Sequence, residues 1–179
     1  MKSLLLQCKF LIVAFLNISY NIIPNPFRNW YFRLFGIFIG NGSCIHRGCK
    51  FFHVGKLSIG KNSVVNFGCY LDNRRGIIIG ENVGLAHNVK IYTLGHNIDS
   101  PNFETKGKSV IIEDGVFVFS NAIIMPGVTL HENSVVLPGA VVTKSVDKCA
   151  IVGGNPAKII RLKKDIIAPS RAYRYWFAL

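Results

Sequence analysis

Residues 112–146 read IEDGVF VFSNAI IMPGVT LHENSV VLPGAV VTKSV, and an aliphatic residue opens each of these six units. The aliphatic positions are Ile112, Val118, Ile124, Leu130, Val136 and Val142. Four positions later comes a small or β-branched residue, at Val116, Ala122, Val128, Ser134, Ala140 and Val146. An amphipathic helix needs apolar residues about 3.6 positions apart and a half-buried strand needs alternation, so a six-residue period fits neither. The period indicates a solenoid of short repeated units.

The same unit occurs upstream with interruptions. Its inner positions are Ile39, Ile45, Phe51, Ile59, Val65, Leu71, Ile79, Leu85 and Ile91. Three units make one coil of a triangular prism, and stacked coils form parallel strands with the aliphatic side chains inside. The extra two residues before Ile59 and Ile79 are absorbed at a corner. In the turns Gly60-Lys61-Asn62, Gly80-Glu81-Asn82 and Asp114-Gly115, glycine and asparagine are expected to supply positive φ. The predicted fold is therefore all-β, a parallel β-helix.

Composition and charge limit the function classes. The chain has 179 residues, of which 50% are hydrophobic and 17% charged, and this excludes a disordered protein. Its net charge of +12 is uneven, because residues 1–71 hold eight basic residues and no acid, while residues 72–157 are nearly balanced. A nucleic-acid-binding body would carry a basic face across its fold, so no nucleic acid is expected as a partner. Basic ends around a balanced middle suit an enzyme whose ends meet an anionic surface or ligand.

We divide the chain into an apolar segment (1–36), a β-helix (37–160) and a basic aromatic tail, helical or extended (161–179). Within residues 4–23 the longest run free of polar residues is Phe10–Leu16, which is too short to span a bilayer. Two alternatives stay open: a helix that caps the prism, or a helix in a membrane interface with Lys2 and Lys9 near lipid phosphates. The five cysteines form no C-x-x-C pair, which favours buried thiols in a reducing compartment.

From Ile39 to Arg161 the repeat resembles the hexapeptide-repeat acyltransferases, whose fold is a left-handed parallel β-helix. The repeat stops after Ile91 for a loop (93–109) that opens with Thr93-Leu94-Gly95-His96. This tetrapeptide is similar to the T-x-G-H segment of the galactoside and maltose acetyltransferase branch. The resemblance implies acetyl-CoA as co-substrate and His96 as the general base that takes the proton of the acceptor hydroxyl. Imidazole suits this role because it titrates near neutral pH.

On the acceptor side, the stretch from Asn66 to Asp72 resembles the N-F-x…D stretch of the same branch. The resemblance implies that Asn66 and Asp72 hold the acceptor sugar, although Asn66 also fits a plain turn residue. Asn73 and Arg74 stand where the branch has acids, so the acceptor is expected to differ. An arginine at this position suits an acidic sugar or is simply solvated. Phe117 replaces the tryptophan of the V-W-I-G-S segment and is expected to wall the acceptor or pantetheine tunnel.

On the donor side, the resemblance implies a coenzyme A cleft between coils. Its expected lining is Ser120, Pro138, Gly139, Thr143 and Lys144. The segment 153–161 resembles the terminal G-x-P-x-(K/R)-x-I-R of the family, which implies that Lys158 and Arg161 reach the adenosine phosphates.

No metal site is predicted, because the five histidines include no pair five residues apart, as prism-fold carbonic anhydrases have. The resemblance further implies a homotrimer with its active sites between chains. The apolar N-terminal segment resembles that of bacterial enzymes that O-acetylate cell-surface polysaccharide sugars. A sugar or lipid-linked saccharide acceptor, and a cytoplasmic enzyme at the inner face of the membrane, are the expectations. The alternatives are an N-acetyltransferase acting on an amino sugar nucleotide and a non-catalytic scaffold.

Overall fold

The computed structural model describes residues 2–164, so the predicted tail beyond Lys164 lies outside the described residues. Two helices come first, α1 (Lys2–Ser19) and α2 (Asn25–Leu34), joined through a 3-10 helix (Tyr20–Ile22). The strands are β1 (Phe38–Ile39), β2 (Cys44–Ile45), β3 (Lys50–Phe51), β4 (Leu57–Ile59), β5 (Val64–Val65), β6 (Tyr70–Leu71), β7 (Ile77–Ile79), β8 (Gly84–Leu85), β9 (Lys90–Ile91), β10 (Leu94–His96), β11 (Thr105–Gly107), β12 (Val110–Ile112), β13 (Phe117–Val118), β14 (Ile123–Ile124), β15 (Thr129–Leu130), β16 (Val135–Val136), β17 (Val141–Val142), β18 (Ala150–Gly153) and β19 (Lys158–Leu162).

The strands form the three walls of a prism. The first sheet has the order β1-β4-β7-β12-β15, the second β2-β5-β8-β13-β16-β18, and the third β3-β6-β9-β14-β17. Neighbours within each wall are parallel, and β19 adds an antiparallel strand to the end of the second sheet. This arrangement, with the N-terminal helices, confirms the predicted left-handed parallel β-helix.

The core is the interior of the prism. Every inner position of the repeat, from Ile39 to Val142, exposes 4% or less of its surface. The small residues that follow by four positions, from Val116 to Val146, are equally buried. The six-residue period therefore reports burial directly, because each short strand turns one side chain inward.

The turns stack into three corners, and two of them matter for the site. The tight corner joins the second sheet to the third through the turns 46–49, 66–69, 86–89, 119–122 and 137–140. The hairpin corner joins the third sheet to the first through the segments 52–56, 72–76, 92–109, 125–128 and 143–145. The extra residues of the upstream coils and the long loop thus lie at one and the same corner.

The expectation about turn glycines is wrong for Gly60 and Gly80. The expectation is confirmed at Asn62 (54°), Asn82 (54°) and Gly115 (70°), where φ is positive. Gly60 is required by close approach, because a Cβ there would lie 2.6 Å from the carbonyl carbon of Gly80 in the next coil. Stacked backbones leave no room for a side chain at this position.

The N-terminal helices cap the first coil. Asn17 of α1 donates to the carbonyl of Phe51 (2.8 Å) and accepts from its N–H (2.9 Å), so it pairs the outer edge of β3. Arg28 donates to the carbonyl of Ile45 at 2.7 Å. Burial raises the pKa of Tyr20, whose hydroxyl donates to the carbonyl of Cys49 at 2.9 Å. These side chains satisfy backbone groups at the edge where the sheets of residues 2–164 begin.

The opposite side of α1 is apolar and exposed. The stretch Leu4–Ile22 has a mean hydropathy of 1.5 over 19 residues, so by length and composition alone it is long enough to cross a membrane. The sequence reasoning, which counted only the uninterrupted run Phe10–Leu16, therefore underestimated this segment.

Candidate active site

The long loop at the hairpin corner folds as a β-hairpin that projects from the prism. Its strands β10 and β11 are antiparallel, and His96 lies opposite Thr105. Thr93 is buried at its base. The Thr93 hydroxyl donates to the carbonyl of Asp72 (2.6 Å) and accepts from the N–H of Arg75 (2.9 Å). The hairpin is thus tied to the coil below it by a side chain that belongs to the T-x-G-H segment.

The hairpin presents His96 to solvent with one ring nitrogen engaged. Nδ1 of His96 lies 2.8 Å from the carbonyl oxygen of Phe103. A carbonyl can only accept, so in the neutral ring Nδ1 carries the hydrogen and the lone pair is on Nε2. The ring also stacks on that of Phe103, with centroids 4.9 Å apart and planes 14° apart. The arrangement suits a base that takes a proton through Nε2.

Phe103 is a site residue that sequence reasoning missed. Its backbone adopts a φ of 49°, which is uncommon for a bulky residue. That conformation brings both its carbonyl and its ring against His96. No residue type or spacing in the loop signals this contact, because it depends on how the hairpin closes.

An open cavity of about 400 Å³ lies beside His96. Lys106 and Lys108 of the hairpin line it together with Met125 and Pro126 from the next coil. The cavity therefore combines cationic groups with an apolar wall next to the imidazole.

Asp72 and Arg74 occupy the same corner, one coil below. Asp72 is fully buried, and Arg74 donates to both of its carboxylate oxygens, from Nε at 2.7 Å and from an η nitrogen at 3.0 Å. This contact raises the pKa of Arg74. The guanidinium also lies over the Phe52 ring, 5.7 Å from its centroid. Arg74 is therefore oriented rather than simply solvated, and the Asp72 carboxylate is engaged within the chain.

Asn66 lies at the tight corner, away from His96. Its side-chain amide donates to the carbonyl of Leu85 at 3.0 Å, and it is half-buried. This bond is what a turn residue of the coil would make, and contact with an acceptor stays a prediction.

The predicted donor-side residues fall into two groups. Ser120, Pro138 and Gly139 lie at the tight corner, where the N–H of Gly139 donates to the carbonyl of Ser120 at 3.0 Å. Thr143 and Lys144 are exposed at the hairpin corner. The third sheet separates the two groups, so one chain does not bring all of them together.

The remaining predicted residues lie on the second sheet. Phe117 is half-buried on β13, and its ring lies 4.7 Å from that of Phe119. Lys158 and Arg161 are exposed on β19. Among residues 2–164 no group of three histidine, cysteine, aspartate or glutamate side chains is placed to hold a metal ion.

Comparison with known proteins gives the family. Residues 109–144 match the family model described as bacterial transferase hexapeptide (six repeats). A hexapeptide-repeat-containing acetyltransferase of Vibrio cholerae, solved in complex with acetyl coenzyme A, is 30% identical, with a TM-score of 0.77 and 86% of each chain covered. The chain belongs to the hexapeptide-repeat acetyltransferase family. The family resemblance inferred from the repeat is therefore confirmed.

The chain is also similar to two sugar O-acetyltransferases. The maltose O-acetyltransferase of Clostridium difficile 630 is 27% identical, with a TM-score of 0.79 over 90% of this chain and 89% of that one. The galactoside O-acetyltransferase of Escherichia coli K12 is 29% identical over 130 residues, which are 71% of this chain and 64% of that protein. The chain spans 57–64% of the length of the curated relatives that it matches.

Proposed function

We propose that this hexapeptide-repeat protein is an acetyl-CoA-dependent O-acetyltransferase that acts on a sugar hydroxyl. The observation that carries the proposal is the contact between Nδ1 of His96 and the Phe103 carbonyl, because it leaves Nε2 as the basic nitrogen. The maltose and galactoside O-acetyltransferases among its relatives support a sugar as the acceptor.

In the proposed reaction the acceptor hydroxyl attacks the thioester carbonyl carbon of acetyl-CoA while Nε2 of His96 takes its proton. The tetrahedral intermediate then collapses, the carbon–sulfur bond breaks, and the coenzyme A thiolate receives the proton from the imidazolium. The products are the acetyl ester and free coenzyme A, and no covalent acyl-enzyme forms.

The donor is proposed to lie in a cleft between neighbouring prisms. Lys144, Lys158 and Arg161 are exposed cations that suit the phosphates of coenzyme A. The Vibrio cholerae relative solved with acetyl coenzyme A supports this donor.

A homotrimer is proposed because the predicted site residues lie at two different corners of the same chain. His96 lies at the hairpin corner, whereas Asn66 and Ser120 lie at the tight corner across the third sheet. In a ring of three copies, the hairpin corner of one chain can face the tight corner of the next. The pathway proposed is the O-acetylation of cell-surface polysaccharide, which the basic, apolar N-terminal region supports.

The test compares His96→Ala with His131→Ala, a histidine at a corner outside the site. We expect the first change to lower kcat by about 10²–10⁴ with acetyl-CoA affinity retained, because a positioned base contributes that much. The measurement is thiol release from acetyl-CoA with maltose or a galactoside as acceptor, beside calorimetric titration with acetyl-CoA. His131→Ala should keep full turnover. Full turnover in His96→Ala would remove His96 as the base.

A further inference from the structure

A groove lies between α1 and the hairpin corner and encloses about 310 Å³. It exists because α1 meets the prism unevenly. The C-terminal half of the helix packs tightly through Leu16 and Asn17. One to two turns earlier the same face carries Phe10 and Val13, which line the groove without filling it.

The groove combines apolar walls with cations. Phe10 and Val13 on the helix face Phe52 on the prism, and Lys9, Arg74 and Arg75 line the same space. Lys56 adds a fourth cation at this edge, since its ammonium donates to the carbonyl of Arg74 at 3.2 Å. No acidic side chain is among the described residues that line the groove.

Arg74 is held in a fixed orientation. The buried Asp72 carboxylate fixes two of its nitrogens, and the Phe52 ring lies beneath the guanidinium. The Arg74 side chain is nevertheless 43% exposed. A guanidinium whose geometry is already set loses less conformational freedom when it binds a phosphate.

The outer side of α1 indicates where such a ligand would come from. Leu4, Leu11, Phe15 and Ile18 are 60–74% exposed, and their spacing of seven, four and three residues places them on one face. That face points away from the packed residues Leu16 and Asn17. Together with the absence of acids in residues 1–71, an exposed apolar face fits an anionic bilayer surface.

The groove also lies near the base. Leu94 lines it, and His96 is the next residue but one along β10, so the two side chains lie on the same face of the hairpin, about 7 Å apart along the strand. A group bound at the cations of the groove can therefore extend a sugar toward the imidazole.

We propose that this groove binds the phosphate-bearing head of a membrane amphiphile, and that the acceptor sugar is carried on that phosphate. The hydrocarbon chain would lie against α1 and the phosphate against Lys9, Arg74 and Arg75. The second statement rests on the proposed acetyl transfer, whereas the first does not.

The test is calorimetric titration of the full chain, without acetyl-CoA, using dodecyl phosphate below its micellar concentration. The groove variant is Lys9→Gln/Arg75→Gln, which leaves the Asp72–Arg74 pair intact and so protects the fold. The matched control is Lys61→Gln/Lys148→Gln, which removes the same charge from two exposed lysines outside the groove.

We expect dodecyl phosphate to bind saturably to the wild-type chain. The groove variant should weaken this binding about hundredfold, since each charge-assisted contact contributes roughly a factor of ten, and the control variant should retain it. Equal weakening in both variants would mean attraction by net charge alone and would overturn the proposal. Inorganic phosphate that binds as tightly as dodecyl phosphate would mean a site for free phosphate. Dodecyl maltoside that binds equally would mean an apolar groove without headgroup recognition.

A second variant, Phe10→Gln/Val13→Gln, tests the apolar wall. This variant should weaken the binding of dodecyl phosphate and leave the sedimentation coefficient of the protein unchanged. A changed oligomeric state would mean that a second copy covers the groove, and the proposal would fail. Since His96 takes no part in these titrations, their failure would leave the proposed acetyl transfer standing, and loss of His96-dependent turnover would leave the binding result standing.

Discussion

The tight corner and the hairpin corner of the prism both carry the chain from one sheet to the next, but different hydrogen bonds stabilise them. At the tight corner each turn has the same length, and a residue with positive φ recurs at the same place, as at Gly68, Asn88 and Gly139. Backbone bonds between coils close these turns, for example from the N–H of Asn88 to the carbonyl of Phe67 at 3.0 Å. Uniform turns can pair with one another, so few side chains are needed.

At the hairpin corner the turns differ in length, and side chains replace the missing backbone pairs. Asn73 accepts from the N–H groups of Phe52 and His53, both at 2.9 Å, and donates to the carbonyls of His53 (2.8 Å) and Gly55 (2.7 Å). One coil later, the Thr93 hydroxyl likewise accepts from a backbone N–H group and donates to a backbone carbonyl. The corner that breaks the repeat is thus supported by buried polar residues, and it is the corner that carries His96 and the groove.

The largest expected effect tests whether the two corners meet across chains. His96→Ala and Asn66→Ala are each expected to lose about 10² or more in kcat/KM when expressed alone. If the site joins two chains of a trimer, co-expression of the two variants should restore about a quarter of the wild-type sites, because each site then draws on two independently sampled chains. The measurement is turnover of the co-purified mixture against a mixture made after folding. No recovery would place both residues within one chain's site, and a fully active Asn66→Ala would make Asn66 a turn residue.

A second prediction concerns two positions that require glycine for different structural reasons. Gly60→Ala should destabilise the protein by about 3 kcal/mol, because the new Cβ meets the Gly80 backbone at 2.6 Å and the coils must separate. Gly139→Ala should cost only about 1 kcal/mol, since its Cβ meets nothing within 4 Å and the cost comes from a φ of 69°. Denaturant unfolding of both variants measures the difference. Equal losses would contradict the close-approach explanation.

Removing the side-chain support of the hairpin should have a smaller effect on stability. Thr93→Val keeps the shape but leaves the carbonyl of Asp72 and the N–H of Arg75 without that hydroxyl, at a cost of about 1–3 kcal/mol. We also expect kcat to fall, because the base of the hairpin sets the position of His96. Thr129→Val, on β15, is the control and should change kcat little. Unchanged kcat in Thr93→Val would mean that the hairpin is positioned without this contact.

The smallest effect is a difference in thiol reactivity. Burial raises the pKa of Cys44 to about 12 and also raises that of Cys49. Because the thiolate is the reactive form, neither should react at pH 8, whereas Cys8 is exposed and Cys149 is partly so. Cys69 is also fully buried, so titration with a thiol reagent should detect two fast groups in the native protein and five after denaturation. Fast reaction at Cys49 would mean that the tight corner opens.

Most of the fold could be predicted from the sequence, because the apolar residue at each inner position of the repeat indicates by itself that this position is buried. The period identified the strands, the walls and the core from Ile39 to Val142 without any knowledge of contacts. It also located the loop that carries His96, since a break in a regular repeat is visible in one dimension. The role of the turn glycines was misjudged at Gly60 because close approach between coils is a property of stacking.

Only the tertiary structure decided the surroundings of His96 and the groove beside α1. Three features depend on how turns of unequal length close against their neighbours. They are the contact of the Phe103 carbonyl with His96, the Asp72–Arg74 pair and the hydrogen bonds of Asn73. The groove depends on the angle at which α1 meets the first coil, and no spacing along the chain encodes that angle. A repeat determines what lies inside the prism, whereas side-chain contacts between residues far apart in sequence determine what its irregular corner can bind.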